Sequence, residues 1–559
     1  MIAVAAASVG QTPEAVSDAV SDECGTARAR IACKLLPVNS RTLLTIISLV
    51  ALAGCASVPP GADHPRTESV SLPAPVATPL GTQASQLAQR HPGRSGAVLL
   101  ARGVDGLVLR TQMVRAARAS LDIQYYIFVE DYTGKVLLDA VLDAAQRGVR
   151  VRILIDLNLH GRPQTRETLA ALDHHENIEL RVFNPFAYRG DNQAAHAIDA
   201  LLNAKRVNHR MHNKLMVADN AVALVGGRNV ADDYFEVGQA PKRFGDFDLA
   251  VIGPVVPGLS RNFDEFWNCS LAIPLDAVEH VPPHRADEVK REVAQDNAAV
   301  DLPELARRID SGELLASLVN GKRPMSWGRA QVVADPPEKA ENNAGDGTDS
   351  PTAQVLAAQL RSVRNELVVI SPYVVPGDDG LATIRDLRAR DVRVRVLTNS
   401  LASTDVPIVH SAYRKYREPL LEAGVELHEV RPAPGQLRDR KGLGSVASGA
   451  PFALHAKAYV FDRAVVLLGS ANLDPRSLVI NTESGILIES RDLAAQILSR
   501  FDEFSSGANS YVVTRDGESL HWVSEVDGRT VAWNVEPETT VEQRLRIDMM
   551  SILPLDPLL

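Results

Sequence analysis

The chain has 559 residues, 45% of them hydrophobic and 23% charged. That is the balance of an ordinary globular protein, long enough for two or three domains with sizeable cores. A net charge of −10 argues against a nucleic-acid partner held by overall positive charge; any basic surface is local.

Residues 1–36 carry no helical or strand periodicity and read as an over-extended start. Arg41 then precedes the short apolar run Leu43–Ala53, which ends in Leu52-Ala53-Gly54-Cys55. A basic residue, an apolar core too short to span a bilayer and a small-residue cleavage site make an export signal. A cysteine directly after Leu-Ala-Gly resembles the bacterial lipobox, so Cys55 is expected to be acylated and to become the new N-terminus. On that reading 1–54 is a signal region and 55–95 a Pro/Ser/Thr/Ala-rich lipoprotein tether. Of Cys24, Cys33, Cys55 and Cys269, only Cys269 then stays free, and no internal disulfide forms.

From Gly96 the chain alternates helical and strand patterns, and does so twice. Arg115–Arg118 leads into Leu121–Val129 as Arg361–Arg364 leads into Leu367–Val375. Arg147–Asp156 (RGVRVRILID) matches Arg390–Asn399 (RDVRVRVLTN), and Asn177–Pro185 matches Gly424–Pro432. The expectation is an α/β protein with two pseudo-symmetric halves, residues 96–275 and 352–510. Between them 276–351 reads as linker and helical segment. After them 511–559 reads as a small β appendage, turning at two Asp-Gly pairs, with an apolar tail.

Each half carries the spacing H-x-K-x4-D: His212, Lys214 and Asp219, then His455, Lys457 and Asp462. Gly226, Gly227 and Asn229 follow the first; Gly469, Ser470 and Asn472 follow the second. One such match arises by chance in about 5% of chains of this length; a pair with the same downstream residues is a duplicated catalytic unit. On a strand the histidine and lysine share one face, and the aspartate sits at the far turn as a turn or salt-bridge residue. The glycines would let backbone approach a ligand, and Asn229 and Asn472 could donate to it.

Brought face to face, two lysines and two asparagines suit the oxygens of a phosphodiester, with neither metal nor cofactor required. Two histidines can divide the chemistry, one attacking phosphorus and the other carrying the proton. A histidine nucleophile needs a carboxylate or carbonyl on its other ring nitrogen. Glu483 is the candidate for His455; in the first half it is Asp248, with Asp246 second.

At these residues the sequence resembles the phospholipase D superfamily, and within it the bacterial cardiolipin synthases of the C subgroup. The stretches that carry the subgroup likeness are Leu121–Asp156, Val251–Pro257, Asp335–Lys339 (DPPEK) and Gly469–Ser490. The resemblance implies two phospholipase D-like domains with the active site at their interface. It also implies a phosphatidyl-histidine intermediate and phosphatidylglycerol as acceptor alcohol. Carried over, it makes His212 the nucleophile and His455 the acid and base. Hydrolysis by the same intermediate, or less readily an exported nuclease activity, is the alternative within the scaffold. A silent lipid-binding lipoprotein is the alternative outside it, and two intact motifs argue against that.

The expected partners are donor and acceptor phospholipids and a membrane reached through the lipid anchor. The expected place is the periplasmic side of a bacterial envelope, with the outer membrane favoured because Ala56 is not aspartate. Weaker features are His410 with Tyr413–Arg417, read as a solvated helix face or a headgroup contact, and 431–450, read as a lid or an idle loop. His209 and His212 have the spacing of helical metal ligands but fall at a strand start.

Overall fold

The computed structural model describes residues 59–73, 77–156, 163–188, 192–237, 240, 242–299, 302–341, 350–434, 450–517 and 519–552. The export signal, Cys55, residues 435–449 of the loop read as a lid or an idle loop, and residues 553–559 of the tail lie outside them.

The strands of the first half are β1 (Ser95–Leu100), β2 (Ser120–Tyr125), β3 (Arg150–Ile155), β4 (Ile178–Phe183) and β5 (Leu215–Ala218). After these come β6 (Val222–Gly226), β7 (Arg243–Gly245), β8 (Asp248–Ile252) and β9 (Ala272–Pro274). The rest are β10 (Ser326–Ala334), β11 (Glu366–Ile370), β12 (Arg393–Asn399), β13 (Glu426–Val430), β14 (Phe452–Leu454) and β15 (Ala458–Phe461). They end with β16 (Val465–Gly469), β17 (Ser484–Glu489), β18 (Ser510–Asp516), β19 (Ser519–Val526) and β20 (Arg529–Trp533).

Among the described residues eighteen of these form one sheet. Its order is β9-β4-β3-β2-β5-β6-β8-β1-β10-β17-β16-β15-β11-β12-β13-β18-β19-β20. From the β1–β10 joint outward, β8-β6-β5-β2-β3-β4 mirrors β17-β16-β15-β11-β12-β13. The two-fold repeat of the sequence is thus a two-fold repeat of the sheet. Within each half three strands run parallel, and parallel neighbours need helical crossovers. Those helices are Tyr132–Gln146 and Pro163–Asp173 in one half, Gly377–Ala389 and Pro407–Glu422 in the other.

Helices cover the parallel strands, so the strands are apolar on both sides. The burial of RVRILI shows it, and its one internal charge, Arg152, is neutralised by Asp122 and Asp264 at 2.7 Å each. One apolar cluster takes Leu154, Val217 and Phe266 from the first half and Ile370, Leu454 and Phe501 from the second. The halves therefore share a core.

Three local expectations differ from the structure. The expected linker 276–351 contains β10, which pairs with β1 and β17 and joins the two halves of the sheet. The β appendage is an extension of the same sheet, because β18 pairs with β13. The third is the stretch from His410 to Arg417, where Lys415 is exposed but His410, Tyr413 and Arg417 are buried rather than solvated. Its Arg417 is buried and donates to Glu429 at 2.8 Å and Glu536 at 2.9 Å, Tyr413 donates to Glu429 at 2.8 Å, and His410 lies 3.4 Å from Glu536. These bonds hold the helix Pro407–Glu422 to β13 and to the segment that follows β20. No described helix is long and apolar enough to cross a membrane.

Candidate active site

The two motif segments have the same local structure. His212 and Lys214 lie just before β5, not within it, and Asp219 closes the β5–β6 turn. Asp219 and Asn220 both have positive φ (52° and 46°), as do Asp462 and Arg463 (50° and 55°), the geometry of a two-residue hairpin turn. Each motif aspartate accepts backbone N–H bonds from the chain entering the neighbouring strand. For Asp219 these come from Arg118, Ala119 and Ser120 at 2.8–3.2 Å; for Asp462 from Arg364, Asn365 and Glu366 at 2.6–3.2 Å. Both stand at the far end of the strand from the histidine. They bind backbone, neither a salt-bridge partner nor a reacting group.

The histidine-bearing segments pair across the halves. His212 N–H donates to Thr482 O at 2.9 Å, and Thr482 N–H donates back to Arg210 O at 3.0 Å. In the other direction β7 runs parallel to β14, and His455 N–H donates to Gly245 O at 2.8 Å. Each crossing sets a histidine beside the other half's carboxylate. His212 Nδ1 lies 2.9 Å from Glu483 Oε2 and 3.1 Å from Oε1. His455 Nδ1 lies 2.6 Å from Asp246 Oδ2. A carboxylate on Nδ1 fixes the proton there and leaves Nε2 as the working nitrogen.

This corrects the pairing expected from sequence. Glu483 serves His212, not His455, and Asp246 serves His455. Asp248 touches neither histidine: it takes Arg110 at 2.8 Å and Arg228 at 3.1 Å. The glycines also act differently from expectation. A Cβ on Gly227 would lie 2.2 Å from Asp246 Oδ1, and one on Gly469 would lie 2.3 Å from Ser484 O. They make room for the opposing strand and its carboxylate rather than for a ligand. In the second half Ser470 stands at the Gly227 position, and its hydroxyl donates to Glu483.

The cluster is buried: His212 is 8% exposed, His455 5%, Lys457 2% and Lys214 1%. Each lysine folds back onto the carbonyl of its own histidine, Lys214 Nζ on His212 O at 2.7 Å and Lys457 Nζ on His455 O. Lys457 Nζ is also 3.1 Å from His455 Nε2. Burial, then Lys214, Lys457 and the other histidine, drive His212 well below its ordinary pKa. Burial and Lys457 also lower His455, but Asp246 pulls it back up. Burial alone would raise Asp246; His455, Lys457 and Arg228 outweigh it and keep that carboxylate low. Glu483 is pushed up to about 8 by burial, with Lys214 opposing. Burial lowers Lys457 to about 8 against the pull of Asp246, Asp405 and Glu483. The two histidine–carboxylate pairs are alike in geometry and unlike in charge.

Aromatic rings complete the surroundings, and the motif spacing gave no signal for them. Tyr126 meets His212 edge-on at 4.9 Å between centroids, and Tyr234 meets His455 edge-on at 5.0 Å. Asn229 is tied into the protein on two sides. It accepts from Ile127 N–H at 3.2 Å and donates to the Tyr234 hydroxyl at 2.8 Å. Asn472 is buried, its backbone N–H on Ser477 Oγ at 3.1 Å and its Oδ1 without a partner. His209 Nδ1 bonds Ile480 O at 2.9 Å, and the described residues hold no group of three or more potential metal ligands. Cys269 is half-buried against the core, and burial raises its thiol to about 12.

Comparison with known proteins adds to this geometry. A family model described as cardiolipin synthase, PLD-like domain, matches residues 111–239 and again 356–505. Cardiolipin synthase C of Escherichia coli (strain K12) is 37% identical over 477 residues, 85% of this chain and 98% of that protein. An uncharacterized protein of Helicobacter pylori is 29% identical over 485 residues, 86% of this chain and 93% of its own length. Among solved structures, phosphatidylserine synthase of Haemophilus influenzae superposes with a TM-score of 0.52 at 15% identity, covering 86% of this chain and 99% of that one. At that identity the likeness speaks for the fold.

Proposed function

The chain belongs to the phospholipase D-like family of cardiolipin synthases, and from that membership we propose that it is a phospholipid phosphatidyltransferase working through a phosphohistidine. The observation that supports this most is the crossed pairing, His212 with Glu483 and His455 with Asp246. It gives two imidazoles, each with its tautomer set by a carboxylate from the other half. It also gives two buried lysines that can leave their carbonyls for phosphate oxygens.

The unequal electrostatics divides the roles. His212, held neutral by burial and the neighbouring cations, is the nucleophile: its Nε2 attacks phosphorus as the bond to the donor's headgroup oxygen breaks. His455, beside an ionised Asp246, carries the proton that goes to the leaving alkoxide. It then takes the proton from the incoming hydroxyl of phosphatidylglycerol as that oxygen attacks phosphorus and the phosphorus–nitrogen bond breaks. The products are cardiolipin and the free headgroup alcohol. Lys214 and Lys457 bind the charged oxygens through the transition state.

We further propose that the enzyme is tethered through acylated Cys55 to the periplasmic face of the envelope. The motivation is the Leu-Ala-Gly-Cys sequence and the low-complexity tether behind it. Cys55→Ser should accumulate as an unprocessed or soluble form; normal cleavage and retention would overturn the anchor.

The test of the reaction supplies labelled phosphatidylglycerol with a donor phospholipid in mixed vesicles. Labelled cardiolipin is expected. Phosphatidic acid as the dominant product across donors, with no cardiolipin, would make the enzyme a hydrolase.

A further inference from the structure

Glu483 is fully buried, and its position depends on a segment far away in sequence. Asp335, directly after β10, clamps the Glu483 backbone from both sides. Asp335 N–H donates to Glu483 O at 2.9 Å, and Glu483 N–H donates to Asp335 Oδ2 at 3.1 Å. Lys339 Nζ in turn holds Asp335 Oδ2 at 2.7 Å, and also donates to Ser477 O at 3.0 Å and Ser350 Oγ at 3.3 Å. The other Asp335 oxygen accepts from Ser350 Oγ at 2.8 Å and Thr352 N–H at 3.1 Å. Asp335 is 0% and Lys339 6% exposed. Through Ser477 the same ammonium reaches the π-helical turn Arg476–Ile480 that leads to Glu483.

A buried ion pair is a poor device for stability. Desolvation consumes most of its attraction, and apolar residues of equal volume often do as well. Its advantage is a fixed geometry. The first half meets the same need with different residues: Arg228 ties the end of β1 (Leu100 O at 2.8 Å, Ala101 O at 3.0 Å) to Asp248 and to the Asp246 carbonyl. In both halves a buried cation–carboxylate pair joins the strand at the sheet's centre to the segment bearing the histidine's partner.

We propose that the Asp335–Lys339 pair is the positioning device for Glu483, holding its carboxylate in register with His212 Nδ1. Neither residue touches substrate; both act through Glu483. The inference rests on the reading of His212 and Glu483 as one reacting unit. Burial raises the pH at which Glu483 ionises, and Lys214, the hydroxyls of Ser470 and Ser477, and Lys339 oppose it; His212, Lys457, Arg476, Tyr459 and Asp335 also face it. Lys339 is among those lowering it, so loss of its charge raises the pH at which Glu483 ionises.

The experiment uses the full chain in donor-lipid vesicles and reads donor consumption, so that hydrolysis in place of transfer leaves the test intact. Lys339→Met removes the charge at similar length, and Ser350→Ala weakens the clamp while keeping both charges. His212→Ala sets the zero. Lys339→Met is expected to lower kcat about tenfold or more, since small misplacements of reacting groups are costly. KM should change less than twofold, and the rising limb of the pH–rate profile should move to higher pH. Ser350→Ala should lower kcat by about two- to fivefold at unchanged KM, since it removes the hydroxyl's bonds to Asp335 and Lys339 together with its cap on Ala353 N–H. Wild-type kcat in both variants, or loss of rate in Lys339→Met with an unmoved pH profile, would make the pair a structural element only and overturn the proposal. Should Lys339→Met fail to fold, Ser350→Ala decides by the same kcat and KM criterion.

Discussion

His212 Nδ1 and Glu483 Oε2 stand 2.9 Å apart, although 271 residues separate them in the chain. With His455 and Asp246 the reverse crossing holds at 2.6 Å. Neither half therefore contains a complete histidine–carboxylate pair. His212→Ala and His455→Ala should each abolish turnover, and the double variant should be little worse, because residues that act as one unit are strongly non-additive. Glu483→Gln and Asp246→Asn should cost about 10²–10⁴-fold in kcat, the scale seen when the partner that fixes a catalytic tautomer loses its charge. Steady-state turnover in lipid vesicles checks all four; substantial activity in either histidine variant would falsify the mechanism.

The pH dependence follows from two groups poised near the same value. Glu483, raised to about 8 by burial, is protonated and uncharged below that pH. Lys457, lowered to about 8 by burial, loses its charge above it. One must be ionised to hold His212 Nδ1–H and the other charged to bind phosphate, so kcat/KM should rise toward pH 8 and fall beyond it. The apparent values belong to the coupled cluster rather than to single residues. Glu483→Gln should flatten the rising limb. Lys457→Arg, whose guanidinium stays charged, should move the falling limb to higher pH in whatever activity remains. A flat profile from pH 6 to 9 in the parent enzyme would reject both assignments.

Gly227 offers a test of the carboxylate's room. A methyl added there would sit 2.2 Å from Asp246 Oδ1, closer than any relaxed contact, and Asp246 is itself pinned through its carbonyl to Arg228. Gly227→Ala should therefore displace Asp246 from His455 and lower kcat by about 10²-fold, as expected of a displacement near 1 Å. The thermal midpoint should fall by only a few degrees, in line with about 1–3 kcal/mol of local strain. Wild-type kcat in Gly227→Ala would show that Asp246 moves freely, and its positioning role would fail.

The repeat and the motif residues that gather at the interface were legible because they are local. H-x-K-x4-D followed by glycine and asparagine is written within eighteen residues of each half, and strand–helix alternation within thirty or so, so spacing alone carries them. Which carboxylate serves which histidine was not legible, because the pairs come from strand crossings between halves: Glu483 and Asp246 both stood among the candidates, but only the β7–β14 pairing sets Asp246 rather than Asp248 beside His455. β10 was hidden for a related reason. Its burial alternates and it stands among helices, and it becomes a central strand only when β1 and β17 supply its partners. The helix Pro407–Glu422 looked solvated because its charges are neutralised by Glu429 and Glu536 from other elements, a pairing that no helical period reveals.

Asn229 shows how a motif residue acts at one remove. Its side chain is tied into the protein, with Oδ1 taking Ile127 N–H and one Nδ2–H going to the Tyr234 hydroxyl. Tyr234 then packs edge-on to the His455 ring, which Phe244 borders at 5.2 Å. Asn229→Ala should leave a part-buried Ile127 N–H and a buried tyrosine hydroxyl unpaired, the latter costing about 1–3 kcal/mol, and should loosen the wall against His455. Tyr234→Phe removes only the hydroxyl and keeps the ring. If the asparagine works by seating that ring, Tyr234→Phe should retain most of kcat while Asn229→Ala and Tyr234→Ala lose about tenfold or more, with KM for lipid little changed in all three. If instead Asn229 binds the phosphate directly, Asn229→Ala should raise KM strongly, and Tyr234→Ala should not resemble it. Measuring kcat and KM for the three variants on the same vesicles separates a seat for His455 from a hand on the substrate.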